Sequence, residues 1–231
     1  MTLPFYAPPE QIMKDRSDYA RKGIARGRSL IAFGYEKGIA IVAENNSRTL
    51  HKISEIYDRI AFAGVGKYNE FEQLRIAGVR HADLKGFAFS RLDVDARSLA
   101  NAYAQSLGQV FTHDLKPMEV EILIAEIGLS ADGSDDRLFH ILYDGTMVDE
   151  DTWIVLGGET EKITDQFTSE VSAGPDLSLE IGVRAAVGSL SDTEGCLQPH
   201  NLEVALLERG IGRRAFRRLT NNDLKGILEA D

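Results

Sequence analysis

The stretch ARGRSLIAFGYEKGIAIVA, residues 25–43, contains two short apolar runs on either side of a Glu-Lys-Gly turn. The runs cover residues 30–35 and 38–43, and apolar runs joined through a glycine-containing turn predict a β-hairpin. Gly27 and Ser29 stand directly ahead of the first run. A small hydroxyl residue in this place is either a nucleophile or the remnant of one, and the rest of the sequence bears on that choice.

A proline-rich arm and a helix precede the hairpin. The arm, MTLPFYAPP at residues 1–9, holds three of the chain's six prolines, and proline removes backbone donors and blocks helix entry. The residues that follow, 10–27, predict an amphipathic helix whose apolar positions are Ile12, Tyr19 and Ile24. We therefore expect an irregular arm followed directly by a helix.

Downstream of the hairpin, strand patterns alternate with pairs of helical patterns. The predicted strands cover residues 49–53, 59–65, 119–127, 137–143, 152–156, 201–208 and 215–219; the predicted helices cover residues 69–87, 95–113, 159–171, 176–191 and a short segment from residue 220. Strands placed around helix pairs pack best as two stacked antiparallel sheets with helices outside, because both faces of each sheet have to be covered. The predicted fold class is α+β, a four-layer αββα sandwich that spans residues 10–231 as one domain.

The composition limits the classes of partner. The chain carries 36 acidic and 26 basic residues, a formal net charge of −10, which disfavours a broad nucleic-acid or anionic-membrane surface. Its single cysteine, Cys196, excludes an intramolecular disulfide framework and a cysteine zinc cluster. No apolar run approaches the roughly 18 residues of a membrane span, and residues 1–11 lack the pattern of a signal peptide. We therefore expect a cytoplasmic protein with no nucleic-acid and no membrane partner.

Motifs for nucleotides, metals and catalytic nucleophiles are incomplete. Residues 61–69, AFAGVGKYN, are similar to a phosphate loop, but alanine replaces its first glycine and tyrosine its final serine or threonine. The histidines lack paired metal-ligand spacing, and the acidic runs at 135–136 and 149–151 lack the pattern of a calcium loop. No serine lies in a GxSxG elbow. The sequence therefore predicts no metal and no cofactor.

Residues 19–46, YARKGIARGRSLIAFGYEKGIAIVAENN, resemble the α subunits of the 20S proteasome, more specifically those of actinobacteria. The resemblance rests on a tyrosine-alanine pair, a basic helix, a glycine, an arginine-serine pair and the glycine-turned hairpin. It extends through KISEIYDRIAFAGVG, KPMEVEILIAEIG and LYDGTMVDEDTWIVLGG, and runs from about Tyr19 to Leu228. It implies the N-terminal-nucleophile hydrolase fold, which is itself an αββα sandwich.

The resemblance implies a subunit of a larger particle. Copies of the chain would form a heptameric outer ring that caps catalytic β rings, admits unfolded polypeptide and receives the C-terminal tails of ring-shaped activators, including an ATPase. The arm matches the position of the family's gate, which comprises Met1, Thr2, Leu3, Pro4, Phe5, Tyr6, Ala7 and Pro8. The expected partners are therefore other α subunits, β subunits, activator tails and polypeptide in transit.

The resemblance also assigns residues to the places of the catalytic groups in the β relatives. In those relatives a threonine at a processed N-terminus is the nucleophile, its α-amino group is the base, and a carboxylate and a lysine tune the pair. Here Arg28 falls at the threonine, Glu44 at the carboxylate and Lys52 at the lysine. Ser29 does not replace the threonine, because the residues before it leave its nitrogen as an amide. The resemblance thus implies a chain with no catalytic activity of its own.

Two alternatives stay open at this point. Processing of the chain to a Ser29 start would create an active N-terminal-nucleophile hydrolase. A stand-alone ring scaffold without a protease partner is the second alternative.

A pocket for activator tails is implied beside the same residues. Lys52 matches the family's pocket lysine, which binds a terminal carboxylate, and Gly27 matches a glycine whose backbone lines the pocket. Tyr19 matches the tyrosine of the family's gate-opening cluster. Lys67 follows Gly66, the glycine at the end of the strand predicted at residues 59–65. We expect Lys67 at the pocket as well.

Overall fold

The computed structural model describes residues 8–171, 177–191 and 197–229. Residues 1–7 of the predicted gate, the first residue of the helix predicted at 176–191, and Cys196 lie outside the described residues. In chain order the helices and strands are α1 (Pro9–Ile24), β1 (Leu30–Tyr35), β2 (Gly38–Glu44), β3 (Ile53–Tyr57), β4 (Ile60–Gly66), α2 (Tyr68–Ala88), α3 (Ala96–His113), β5 (Val120–Glu126), β6 (Arg137–Ile141), β7 (Met147–Glu150), β8 (Trp153–Leu156), α4 (Thr160–Glu170), α5 (Leu179–Leu190), β9 (Leu202–Glu208), β10 (Phe216–Arg218) and α6 (Asn221–Glu229).

Two five-stranded antiparallel sheets form the centre of the molecule. The first sheet has the strand order β10-β9-β2-β1-β8, and the second has the order β3-β4-β5-β6-β7. The predicted hairpin is confirmed at the middle of the first sheet, where β1 pairs with β2 from Leu30 opposite Ala43 to Tyr35 opposite Gly38. Because only residues 36 and 37 form the turn, the two strands are antiparallel neighbours. The start of β1 and the end of β2 therefore meet at the same end of the sheet.

The layers follow from which side chains pack together. Leu30, Ile41 and Leu123 belong to the cluster between the two sheets. The outer face of the second sheet packs against α2 and α3, and the outer face of the first packs against α4 and α5. The predicted four-layer αββα sandwich is therefore confirmed.

The position of β1 explains why the first apolar run, residues 30–35, has no charged residue. Leu30 and Ala32 face the space between the sheets, while Ile31 and Phe33 face the outer helices. The Phe33 ring packs against Phe167 of α4 with 5.6 Å between the ring centroids. A strand covered on both faces loses the alternation of polar and apolar residues, because neither face meets water.

The strand predicted at residues 49–53 is wrong. Residues 49–52 lie before β3, in the connection between the sheets. There the Ser47 hydroxyl accepts hydrogen bonds from the backbone N–H of Thr49 at 3.3 Å and of Leu50 at 3.0 Å. The Asn45 side chain in turn accepts from the Ser47 N–H at 2.9 Å. Side chains that bond the backbone locally favour a turn over a strand, and they delay β3 to Ile53.

The sequence did not predict β7. This strand is four residues long and carries Asp149 and Glu150 at the edge of the second sheet. Charged residues protect an exposed sheet edge from unwanted pairing, and they also remove the apolar pattern by which strands are predicted.

The predicted apolar face of α1 is only partly correct. Ile24 is buried together with Ala20, but Ile12 and Tyr19 are 44% and 48% exposed. The helix contacts β4 and β5 at the ends of these strands, so only its C-terminal half has a surface to cover. The apolar side chains of its first turns therefore lie in water in the isolated chain.

The backbone at Gly66 gives a test of the fold. Gly66 ends β4 with φ +105°, and a Cβ there would overlap the carbonyl oxygen of Glu119. We expect Gly66→Ala to lower the free energy of unfolding by more than about 1 kcal/mol. Denaturant titration would measure this, with Gly226→Ala as control.

Gly226 lies in α6 with no atom within 4 Å of a built Cβ. Its replacement should raise the free energy of unfolding by about 0.5–1 kcal/mol, because alanine favours helix. Equal effects of the two substitutions would contradict the close approach of Gly66 to β5.

Candidate functional site

Three charged residues meet where the hairpin begins and ends. Arg28 precedes β1, Glu44 ends β2, and Lys52 precedes β3. Because Leu30 pairs with Ala43, the residues just beyond this pair are neighbours in space. An Arg28 Nη1 atom lies 3.2 Å from Glu44 Oε1, and Lys52 Nζ donates to the Arg28 carbonyl oxygen at 2.6 Å. The structure thus brings together the three positions that the resemblance assigned to degenerate catalytic groups.

The electrostatics of Lys52 follow from its burial. Lys52 is partly buried, and burial lowers its pKa to about 8; Glu44 and Glu203 oppose this change, while Arg28 adds to it. The side chain is therefore an ammonium group at pH 7 and loses its charge as the pH rises through about 8. With three N–H donors and one bound to the Arg28 carbonyl, Lys52 has donors for an anion.

Gly27 lies against the end of β4. A Cβ on Gly27 would stand 2.8 Å from the Gly66 nitrogen and 3.1 Å from Val65 Cγ1. The Gly27 N–H donates to the Ile24 carbonyl at 2.8 Å, which closes the last turn after α1. Only a glycine permits this approach of two backbones, and it fixes the next residue, Arg28, beside Lys52.

Lys67 belongs to a second group of charged residues, and Tyr19 lies beside this group. Lys67 Nζ lies 3.6 Å from Glu70 Oε1 and 3.9 Å from Glu119 Oε1, and Lys116 binds the same two carboxylates at 2.7 and 2.8 Å. The Tyr19 ring lies 5.6 Å from Lys116 Nζ. Hydrogen bonding, chiefly from Lys116, lowers the pKa of Glu119 and keeps it ionised.

The C-terminal end of β4 connects the two groups. The Lys52 carbonyl accepts a hydrogen bond from the Gly64 N–H at 3.1 Å. Two residues further, Gly66 touches Gly27, and Lys67 follows at once. The four residues predicted for the activator pocket therefore lie along one end of the sandwich.

Sequence reasoning missed the acidic partners at this end. Glu203 reaches Lys52 from β9, about 150 positions later in the chain, where no local pattern marks it. Glu70 and Glu119 likewise come from different elements. The three-residue spacings of Lys67 and Glu70 and of Lys116 and Glu119 are the local signals for these ion pairs.

A large cleft lies elsewhere. It encloses about 950 Å³ at the opposite end of β1, and its lining includes Phe33, Tyr35 and Trp153. Arg209 and Asp136 cross it with a 2.7 Å contact. Among the described residues, none of those predicted for the site lines this cleft.

Neither a metal-ligand cluster nor a membrane-spanning helix occurs among the described residues. Within residues 8–171, 177–191 and 197–229, no three His, Cys, Asp or Glu side chains converge as metal ligands. None of the helices in the same ranges has the length and apolar character needed to cross a membrane.

A family model described as "Proteasome subunit" matches residues 24–207 of the chain. The chain belongs to the proteasome subunit family. Proteins named "Proteasome subunit alpha" are similar along nearly all of it. One from Acidimicrobium ferrooxidans is 57% identical over 229 residues, which is 99% of this chain and 97% of the relative. Those from Sanguibacter keddieii and Thermomonospora curvata are each 53% identical, over 99% of this chain and over 90% and 98% of their own lengths.

The backbone around Ser29 holds the start of β1 in place. In this chain α1 ends at Ile24, and Arg28 and Ser29 lie between it and β1. The Ser29 carbonyl accepts from the Glu44 N–H at 3.3 Å, and its side chain packs against Gly157. Because Arg28 precedes it in the chain, the Ser29 nitrogen is an amide and not a basic amino group.

Proposed function

We propose that this proteasome α subunit is non-catalytic, forms heptameric outer rings on catalytic β rings in the cytoplasm, gates substrate entry and docks ring-shaped activators. The observation that carries the proposal is the occupied position ahead of β1. Arg28 stands there, and its side chain and carbonyl bind Glu44 and Lys52. These are the groups that would activate a threonine in a β relative, and here they bind one another.

Exposed apolar side chains support assembly. The last turns of α2 and the segment after it hold four of them, each at least 69% exposed, and an apolar patch of this kind usually marks a protein contact surface. They are Leu84, Phe87, Phe89 and Leu92. The exposed Ile12 and Met13 of α1 add a second surface. Closed cyclic symmetry would cover such surfaces in every copy.

Activator docking is supported by the charges along the end of the sandwich. A C-terminal carboxylate needs a cation and free donors, and Lys52 supplies both at a partly buried position. Lys67, directly after the C-terminal end of β4, is half exposed. We propose that Gly27 and Tyr19 form the wall between them.

Reconstitution tests the central proposal. Mixing the chain with its cognate β subunit should give a sevenfold-symmetric barrel whose peptidase activity resides in β, because in this chain Arg28 stands at the place of the nucleophile ahead of β1. A threonine-directed covalent inhibitor should label β alone, and the intact mass of this chain should show a Met1 or Thr2 start. A Ser29 start with label on this chain would support the hydrolase alternative, and failure to bind β would support the scaffold alternative.

Lys52→Ala tests the activator pocket. The variant should assemble with β normally and lose stimulation by C-terminal tail peptides of the activator, because the cation that binds their carboxylate is gone. Stimulated peptide hydrolysis measures the effect, and Lys225→Ala, on the exposed face of α6, is the matched control. Full stimulation of Lys52→Ala would remove Lys52 from the pocket.

Deletion of the arm tests the gate. Pro8 is best kept, because its carbonyl accepts from the N–H groups of Gln11 and Ile12 at 3.0 and 3.1 Å and starts α1. Removing residues 1–7 should therefore raise the rate of peptide hydrolysis by the assembled particle without altering the ring. An unchanged rate would mean that the arm is no barrier.

A further inference from the structure

A buried carboxylate lies behind the proposed pocket. Glu203 is on β9 in the first sheet, and its side chain is 5% exposed. A buried charge is costly unless it is paired and hydrogen-bonded, so its partners show what it does.

Both carboxylate oxygens of Glu203 accept hydrogen bonds. One carboxylate oxygen accepts from Asn45 Nδ2 at 2.6 Å and from the Lys52 N–H at 2.9 Å. The other accepts from the Ile53 N–H at 3.2 Å and from the Arg218 guanidinium. Two consecutive backbone N–H groups are therefore held by one carboxylate.

The same contacts join the two sheets. Glu203 and Arg218 belong to the first sheet, whereas Ile53 opens the second. Arg218 Nη2 also donates to the Ile53 carbonyl at 2.8 Å, and Asn45 Nδ2 donates to the Leu50 carbonyl at 2.8 Å. The backbone around Lys52 is thus fixed on both sides, although it follows an irregular connection.

We propose that Glu203 is the positioning residue of the activator pocket, which holds the backbone of Lys52 so that its ammonium group meets the terminal carboxylate of a partner protein. The inference rests on the proposed docking function of Lys52. Glu203 itself is buried and acts through Lys52.

The charge of Glu203 gives it a second effect. Glu44 and Glu203 favour the ammonium form of Lys52, while burial and Arg28 oppose it, with the net result of a pKa of about 8. Arg218 binds Glu203 directly, and the exposed His51 Nδ1 lies 3.3 Å from it. Removing the negative charge of Glu203 should therefore lower the pKa of Lys52 further.

Glu203→Gln in the assembled particle tests the inference. The glutamine NH₂ would face a shell of donors, so we expect the affinity of a synthetic C-terminal activator peptide to fall about tenfold. The pH midpoint above which binding is lost should move from about 8 to a lower pH. A peptide with an amidated C-terminus should show neither change, because it lacks the carboxylate.

Glu126→Gln is the matched control. Glu126 is also a buried carboxylate; it accepts from the Ala96 N–H at 2.9 Å and pairs with Arg59 at 3.2 Å, at the far end of the second sheet. Its replacement should disturb packing in a similar way and leave the pH midpoint unchanged. Glu203→Asp keeps the charge but shortens the side chain, so it should weaken peptide binding and keep the pH midpoint near 8. This variant keeps the inference testable if Glu203→Gln fails to assemble.

The outcomes separate the two proposals. If Lys52→Ala leaves peptide binding intact, the docking function itself is wrong. If Lys52→Ala abolishes binding but the Glu203 variants bind with the wild-type affinity and pH midpoint, the pocket stands and the role of Glu203 is overturned.

Discussion

Burial of both faces of both sheets is the constraint on which the rest of the structure depends. β1 and β2 are apolar along nearly their whole length because helices cover one face and the other sheet covers the second. The charged residues of this hairpin are consequently confined to its turn and its two ends. The convergence of Arg28, Glu44 and Lys52 is therefore a result of topology: the hairpin brings its own two ends together, and the connection between the sheets must start beside them.

Close backbone contact organises the polar groups at that end. Gly27 and Gly66 touch, so α1, β1 and β4 share one short region. On one side lie Arg28 and Lys52, and on the other lies the Lys67 group. A side chain on Gly27 would push the two groups apart, because its Cβ would stand 2.8 Å from the Gly66 nitrogen. The spacing of the cations thus depends on the absence of a Cβ atom at Gly27.

Local patterns predicted most of the fold. The hairpin, the helix pairs and the central strands come from periodicity within a few residues, and the structure confirms them. The errors have physical causes. Ser47 and Asn45 satisfy backbone groups and displace the strand predicted at 49–53, and the charged edge of β7 hides its pattern.

The site was predictable only where the family resemblance could place residues one at a time. Arg28, Glu44 and Lys52 were assigned in this way and are indeed neighbours. Glu203 and Glu119 were not, because nothing in the residues around them records a contact with a different sheet or helix. Such long-range polar contacts depend on the folded arrangement as a whole.

The shallow seat of α1 has a consequence for the order of the chain. This helix of 16 residues buries only Ala20 and Ile24 of its own side chains, and its remaining attachments are polar, such as the bond of 3.0 Å from Arg21 to the Tyr143 hydroxyl. Few buried contacts mean a low free energy of local opening, so amide protons in its first turns should exchange quickly in an isolated subunit. Neighbouring molecules would then supply most of the order of α1, and its protection would report on assembly.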